Sequence, residues 1–337
     1  MTAVSAVAHA NIALVKYWGK RDGALMLPAT SSVSLTLDAF RTTTTVTLLP
    51  EGAPDEVELD GVRLEGAPRT KVVRFLDLVR SQVPPELAGR GAGVVSRNDV
   101  PTGAGLASSA SAFAALAGAA AGAYGLELDR RGLSRLARRG SGSASRSVFG
   151  GFVRWNAGDL DDPVRGDETS YAEPLPTAPD LDVAMAVIVL DAGPKAIGSR
   201  EAMASTVATS PYFPAWVEHT ELDAAAATAA IAAGDLTVLG EIAEASAMRM
   251  HATMLAAYPA VRYLAPASLE VLDAVAALRA DGVGAWATMD AGPNVKVLCA
   301  ARDLELVGEA LALAPDGARR RVLLARPGPG LRTETLP

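Results

Sequence analysis

The chain has 337 residues and a single cysteine, Cys299, so an intramolecular disulfide is impossible and a reducing compartment is expected. Histidine is nearly as scarce. His9, His219 and His251 lie far apart, with no Cys or acidic partner at zinc spacing, so no metal site made of protein ligands is expected. No Ser-His-Asp set suggests itself. Cations are in deficit: 31 Lys and Arg against 38 Asp and Glu leave a net charge of −7. That argues against a nucleic-acid partner, which needs many phosphate-facing cations, but a small anion pocket needs only a local excess. The first fifteen residues have no basic segment, and His9 and Asn11 break their apolar run, which argues against a signal peptide. One run without any charge, residues 100–126, is long enough to cross a bilayer. It is built from Ala, Gly and Ser behind Pro101 and Thr102, residues that gain little from hydrocarbon. A buried, tightly packed helix is expected there, and no membrane partner.

Half of the residues are hydrophobic and 20% are charged, enough for a well-filled core at this length. Strand patterns fall at 42–49, where Thr alternates with Val and Leu, and at 57–64, 93–95, 151–155, 182–190, 285–289, 295–299 and 321–325. Helical patterns fall at 70–82, 106–124, 131–138, 199–208, 214–233, 236–258, 268–281 and 304–313, with Asp235 placed to cap the sixth. Residues 158–179 read as a surface connection, and the Pro- and Gly-rich residues 326–337 as a loose tail. Few βα units of doubly wound type are present. The expectation is an α+β chain of two domains, residues 1–180 and 181–325, followed by the tail.

The strongest local signal is Pro101-Thr102-Gly103-Ala104-Gly105-Leu106-Ala107-Ser108-Ser109. Two closely spaced glycines let the backbone approach a ligand, and the following helix points free N–H groups and its positive end back at it. The hydroxyls of Ser108 and Ser109 add donors, and one of them is a possible Mg²⁺ ligand. The Lys of a Walker loop and the third Gly of a dinucleotide fingerprint are missing. On its own the segment reads equally as a Gly-rich turn before a Ser-capped core helix. In the segment Asn11 to Asp22, Lys16 follows four apolar residues out of five, an awkward place for a solvated cation. As a strand, this segment puts Lys16, Trp18 and Lys20 on one face. Ser141-Gly142-Ser143-Ala144-Ser145-Arg146, after Arg138-Arg139-Gly140, sets small hydroxyl residues beside an Arg suited to a carboxylate or phosphate. Asp290 stands at the end of an apolar strand before Gly292-Pro293, either a general base or an Asp capping its own turn. Lys195, Ser199 and Arg200 put donors at a helix start.

Together these segments resemble the GHMP small-molecule kinases. Asn11 to Lys20 (NIALVKYWGK), Ser141 to Arg146 and Met289 to Val295 (MDAGPNV) further resemble the diphosphomevalonate decarboxylase family, in the same order over nearly the whole chain. The resemblance implies a two-domain GHMP-kinase-like fold with the active site in a cleft between the domains. It implies ATP-dependent decarboxylation of mevalonate 5-diphosphate with Mg²⁺, by a cytoplasmic homodimer. Asp290, Lys16 and Arg146 are then the catalytic residues. Asp290 would orient and deprotonate the 3-hydroxyl, Lys16 would stabilise negative charge, and Arg146 would hold the substrate carboxylate. ATP would be bound by Ser96, Asn98, Pro101, Gly103, Ala104, Gly105, Leu106, Ala107, Ser108 and Ser109, with Ser108 near a Mg²⁺ held mainly by phosphate oxygens. The substrate would be bound by Ala13, Tyr17, Trp18, Gly19, Lys20, Arg69, Ser141, Gly142, Ser143, Ala144, Ser145, Ser199 and Arg200. Ser145 replaces a common Cys, Gly198 a common hydroxyl residue, and Val73 a polar residue of many relatives. The alternatives are a decarboxylase of the monophosphate, a 3-kinase that stops at the phosphorylated intermediate, and, from another class, a metabolite sensor that has kept the kinase fold.

Overall fold

In a computed structural model of the chain, residues 3–99, 108–191 and 197–337 are described. The chain opens with β1 (Ala3–Val15), the short β2 (Lys20–Asp22) and β3 (Leu27–Pro28), and the long β4 (Ser32–Glu51). A hairpin of β5 (Glu56–Leu59) and β6 (Val62–Arg63) leads through α1 (Gly66–Arg80) and the single turn α2 (Pro85–Ala88) to β7 (Arg90–Asp99). Then come α3 (Ser108–Ala123), α4 (Arg130–Gly140), a 3₁₀ segment (Gly142–Val148), β8 (Phe152–Trp155), α5 (Pro163–Thr169) and β9 (Ala172–Pro174). The second half holds β10 (Val183–Val189), α6 (Ser199–Thr209), α7 (Phe213–Ala233), α8 (Leu236–Leu255) and α9 (Pro266–Ala280). It closes with β11 (Ala285–Met289), β12 (Val295–Ala300), α10 (Leu304–Ala312), β13 (Arg321–Ala325) and β14 (Arg332–Leu336).

Two sheets organise these elements. The larger has the order β14-β1-β4-β7-β5-β6, with β8 on β4 and β9 on β8; only β5–β7 is parallel. The smaller is antiparallel, in the order β11-β12-β10-β13. In β4 the Thr/Val/Leu alternation buries Thr42, Thr44, Val46 and Leu48 while their neighbours stay partly exposed. The buried hydroxyls find partners: Thr42 bonds Ser111 (2.8 Å) and Thr44 bonds Ser96 (2.9 Å).

The uncharged run is resolved by α3, which lies on the large sheet. No described helix is long and apolar enough to cross a membrane. Its small residues permit close approach: a Cβ on Gly122 would stand 2.9 Å from a methyl of Val4, and one on Gly118 3.0 Å from Leu331. A second apolar core joins the halves. Ile12, Leu14 and Leu35 of the large sheet pack with Met185, Val187, Ile231 and Leu239.

Three expectations fail here. Residues 57–64 are a hairpin rather than one strand, because Asp60 (φ 51°) and Gly61 (φ 83°) form a two-residue turn with positive φ at both positions. Residues 158–179 contain α5, capped by the Asp162 carboxylate, and β9. Residues 326–337 are not a loose tail. β14 pairs with β1 from Ala3↔Leu336 to Val7↔Arg332. Before it, the Gly328 amide donates to Thr36 O (2.8 Å) and the Leu331 amide to Val148 O (3.2 Å). The glycines serve that packing, since a Cβ on Gly328 would lie 2.4 Å from the Leu37 carbonyl carbon.

Gly122→Val is expected to lower the unfolding free energy by about 1–3 kcal/mol through overpacking against Val4. Gly23→Ala, where a Cβ meets nothing within 4 Å, should change it by less than about 0.5 kcal/mol. Urea denaturation of both variants measures the contrast.

Candidate active site

A cavity of about 310 Å³ opens between the two halves of the chain. The first half contributes the turn after β1, the start of α3 and the 3₁₀ segment after α4. The second contributes the start of α6, part of α8 and the loop after β11. Lys16, Lys20, Lys71, Arg146 and Arg200 line it, and among its described residues Asp290 is the one acid.

Asp290 follows β11, and its loop is tied down on several sides. The Gly292 amide donates to Asp290 O (2.8 Å), and Ser268 Oγ donates to Pro293 O (2.7 Å). Asn294 Oδ1 accepts from the amides of Leu190 (2.8 Å) and Asp191 (3.0 Å). The carboxylate is gripped on both oxygens: Lys16 Nζ is 2.8 Å from Oδ1 and Lys296 Nζ is 3.0 Å from Oδ2. Both lysines are buried, while the Asp290 side chain is 34% exposed toward the cavity. Burial opposes ionisation of Asp290, but the two ammonium groups outweigh it and hold the carboxyl far below the usual carboxylate range. For Lys16 burial dominates. It lowers the ammonium to about 8 despite the attraction of Asp290, and Nζ also donates to Ala13 O at 2.8 Å. His251, buried on α8, bonds the Asp290 backbone and is lowered by burial to about 4, so it is neutral near pH 7.

Arg146 is buried in the 3₁₀ segment. Its Nε donates to Asn11 Oδ1 (3.0 Å) and its Nη1 to Ser32 Oγ (2.6 Å). Asn11 in turn donates from Nδ2 to Ser147 Oγ (2.8 Å) and Ser143 O (3.0 Å). Gly142 is required where it stands, because a Cβ there would lie 2.9 Å from both the Tyr17 hydroxyl and the Trp155 ring. At the other end, Lys20, Lys71 and Arg200 meet. Burial lowers both lysines, and Arg200 lowers each further by repulsion. Like charges held together in this way are a site for a polyanion.

Of the residues expected from the sequence, Ala13, Lys16, Tyr17, Trp18, Lys20, Ser109, Ser141, Gly142, Ser143, Arg146, Ser199, Arg200 and Asp290 line this one cavity. Lys16, Trp18 and Lys20 do so from an irregular turn and the start of β2, not from one strand face. Gly19 lies outside the lining; it turns the chain at φ 96° against Phe213. Ala144 and Ser145 are buried behind the lining, with Ser145 Oγ donating to Gly142 O (2.8 Å). Arg69 also misses it, because its guanidinium donates to Asp55 O (2.9 Å). Lys71, two positions on along α1, takes the place facing the cavity. Ser96 and Asn98 lie on β7 outside the lining, bonded to Thr44 and to Thr42 and Asp60. Pro101, Gly103, Ala104, Gly105, Leu106, Ala107 and Lys195 lie outside the described residues, and so does the Ser108 side chain. Sequence reading missed Lys71, Asn11 as the partner of Arg146, and Lys296. The last carried the signal that exposed Lys16, a lone cation in an apolar strand.

Fold and cleft together define a two-domain protein of GHMP-kinase-like architecture, built to hold polyanions between its halves. The diphosphomevalonate decarboxylase-like N-terminal domain matches residues 8–172, and the mevalonate 5-diphosphate decarboxylase C-terminal domain matches residues 185–318. The chain belongs to the diphosphomevalonate decarboxylase family. The diphosphomevalonate decarboxylase of Candida albicans is 38% identical over 308 residues, covering 88% of this chain and 84% of that one. The human diphosphomevalonate decarboxylase is 35% identical, covering 88% and 76%. Among solved structures, mevalonate diphosphate decarboxylase from Staphylococcus aureus is 39% identical with a TM-score of 0.90, over 99% of this chain and 98% of that one. MDDEF in complex with MVAPP, AMPPCP and magnesium is 44% identical with a TM-score of 0.91, over 99% of both chains.

Arg146→Lys replaces a planar fork by a point donor, which cannot serve Asn11 and Ser32 together. One buried acceptor then loses its partner, and the unfolding free energy should fall by about 1–3 kcal/mol. An unchanged urea midpoint would show that this network does not hold the turn.

Proposed function

We infer that the protein catalyses the ATP-dependent decarboxylation of mevalonate 5-diphosphate to isopentenyl diphosphate, ADP, phosphate and carbon dioxide. The observation that carries this reading is the placement of Asp290, fixed between two lysines, in a cleft whose described lining includes Lys16, Lys20, Lys71, Arg146 and Arg200. Arg146 meets the substrate carboxylate from the floor of the cleft, where Asn11 and Ser32 hold its guanidinium in one plane. Lys20, Lys71 and Arg200 take the diphosphate, and their number favours the diphosphate over the monophosphate. Asp290 accepts a hydrogen bond from the tertiary 3-hydroxyl and aims that oxygen at the γ-phosphate of ATP. A carboxyl held so far below its usual range is a weak proton acceptor, so orientation is its larger contribution. Asp290 takes the hydroxyl proton only as the new O–P bond forms and the bond from the γ-phosphorus to ADP breaks. Lys16 faces the phosphate being transferred and offsets its charge. Once phosphorylated, the 3-oxygen leaves as phosphate with its bonding electrons. The electrons of the bond to the carboxylate then form the new double bond as carbon dioxide departs.

The donor set fits a metal carried by phosphate rather than by protein. Among the described residues no three acidic, His or Cys side chains are placed to hold a metal ion, while Ser109 at the start of α3 offers a hydroxyl to the cleft. Magnesium, when bound, would neutralise charge on the phosphates, with Ser109 the described hydroxyl placed beside them. With this reading go a homodimer and a cytoplasmic location.

The test supplies the purified protein with ATP, Mg²⁺ and either mevalonate 5-diphosphate or mevalonate 5-phosphate, and follows ADP and carbon dioxide. Equal release of both from the diphosphate is expected. ADP without carbon dioxide would mean a 3-kinase, turnover of the monophosphate alone would mean the sister decarboxylase, and no ADP would mean a sensor. Asp290→Asn should lower kcat by at least about 10²-fold while nucleotide binding, measured by calorimetry, persists.

A further inference from the structure

Lys296 lies on β12, paired in register with Thr288 of β11, and its neighbours Val295 and Val297 are fully buried. Its side chain is 3% exposed. Taking an ammonium out of water costs several kcal/mol unless a partner offsets it, and a merely structural position in this strand is better filled by another Val. The partners of Lys296 are Asp290 Oδ2 at 3.0 Å and the Asn294 carbonyl at 3.4 Å. Unlike Lys16 and Asp290, Lys296 does not line the cavity. It therefore reaches the reacting groups only through Asp290. With Lys16 alone on Oδ1, the carboxylate could turn about its own axis. A second ammonium on Oδ2, from a rigid strand of the other half of the chain, removes that freedom.

We propose that Lys296 is a positioning residue for phosphoryl transfer, which pins Asp290 Oδ2 so that the carboxylate meets the substrate hydroxyl in one orientation. This rests on the assignment of Asp290 as the group that receives the 3-hydroxyl. The charged or titratable groups facing Asp290 among the described residues are Lys16 at the end of β1, Lys296 on β12, Arg146 in the 3₁₀ segment and neutral His251 on α8. Removing Lys296 leaves Lys16 and the more distant Arg146 to oppose the effect of burial, so the carboxyl rises toward its usual range. Asp290 works ionised. In the wild type its acid limb therefore lies below the working pH range, and in the variant it moves up in pH.

The experiment measures Lys296→Met in the full chain. Steady-state ADP release is expected to show kcat lowered roughly 10–100-fold, as for a misplaced reacting group, with KM for both substrates unchanged and the acid limb of kcat shifted upward. A wild-type kcat and pH profile would overturn the proposal. So would a raised KM at unchanged kcat, which would place Lys296 in substrate binding. If the Met variant does not fold, as judged by circular dichroism, Lys296→Gln keeps a donor without the charge and takes the same test; an unmoved acid limb overturns the proposal there too. Wild-type inactivity on both mevalonate phosphates would sink the functional reading instead. In that case the ¹³C carboxyl titration of Asp290 decides the clamp alone: an upward shift in Lys296→Met supports it, and none overturns it.

Discussion

Two buried ammonium groups share one carboxylate, and the active cleft depends on that arrangement. Lys16 comes from the end of the first strand, and Asp290 and Lys296 come from the hairpin of the second sheet. None of the three is tolerable alone in the interior, because an unpaired buried charge costs several kcal/mol. Each half therefore completes the other, and the relative placement of the halves is set by charge as well as by the apolar core of Ile12, Leu14, Met185 and Leu239. The triad retains one net positive charge, which an incoming phosphate can neutralise.

The same accounting explains how an acidic protein presents a basic cleft. The surplus of acidic residues lies elsewhere, while among the described residues five cations converge on one cavity with a single carboxylate. The mutual repulsion of Lys20, Lys71 and Arg200 is a cost carried by the empty fold and relieved on binding a polyanion. Part of the binding energy is thus stored in the protein before the ligand arrives.

Much of this was legible in the sequence because the signals were local. A lysine inside an apolar run, a Gly-Pro turn after a strand, and an Ala-rich run too polar for a membrane each have a mechanism that acts within a few residues. Lys16 and Asp290 were singled out by the first two of these, Arg146 by the small hydroxyl residues beside it, and the α+β class by the irregular order of strands and helices, while their roles came from the resemblance to a known family. What failed was tertiary. Whether Arg69 or Lys71 faces the cleft depends on the roll of α1, which is set by the packing of Phe75, Leu76 and Val79 on the sheet. Lys296 carried the same sign as Lys16, but its meaning rests on a partner that only the β11–β12 register supplies. The Asp60-Gly61 turn was a local signal and could have been read. The Gly- and Pro-rich residues after 326 resemble a linker in composition, yet their glycines exist to let backbones touch.

That last feature bears on how the chain is made. The edge of the first sheet, and part of the surface under α3, are supplied by residues 331–336. A ribosome adding about 5–20 residues per second takes on the order of ten seconds to travel from the end of β9 to β14. Throughout that interval the first domain has β1 as an open edge, and the strand that closes it is made only after the second domain. Completion of the N-terminal sheet therefore waits for residues 332–336, which follow the whole second domain, rather than for the emergence of its own domain.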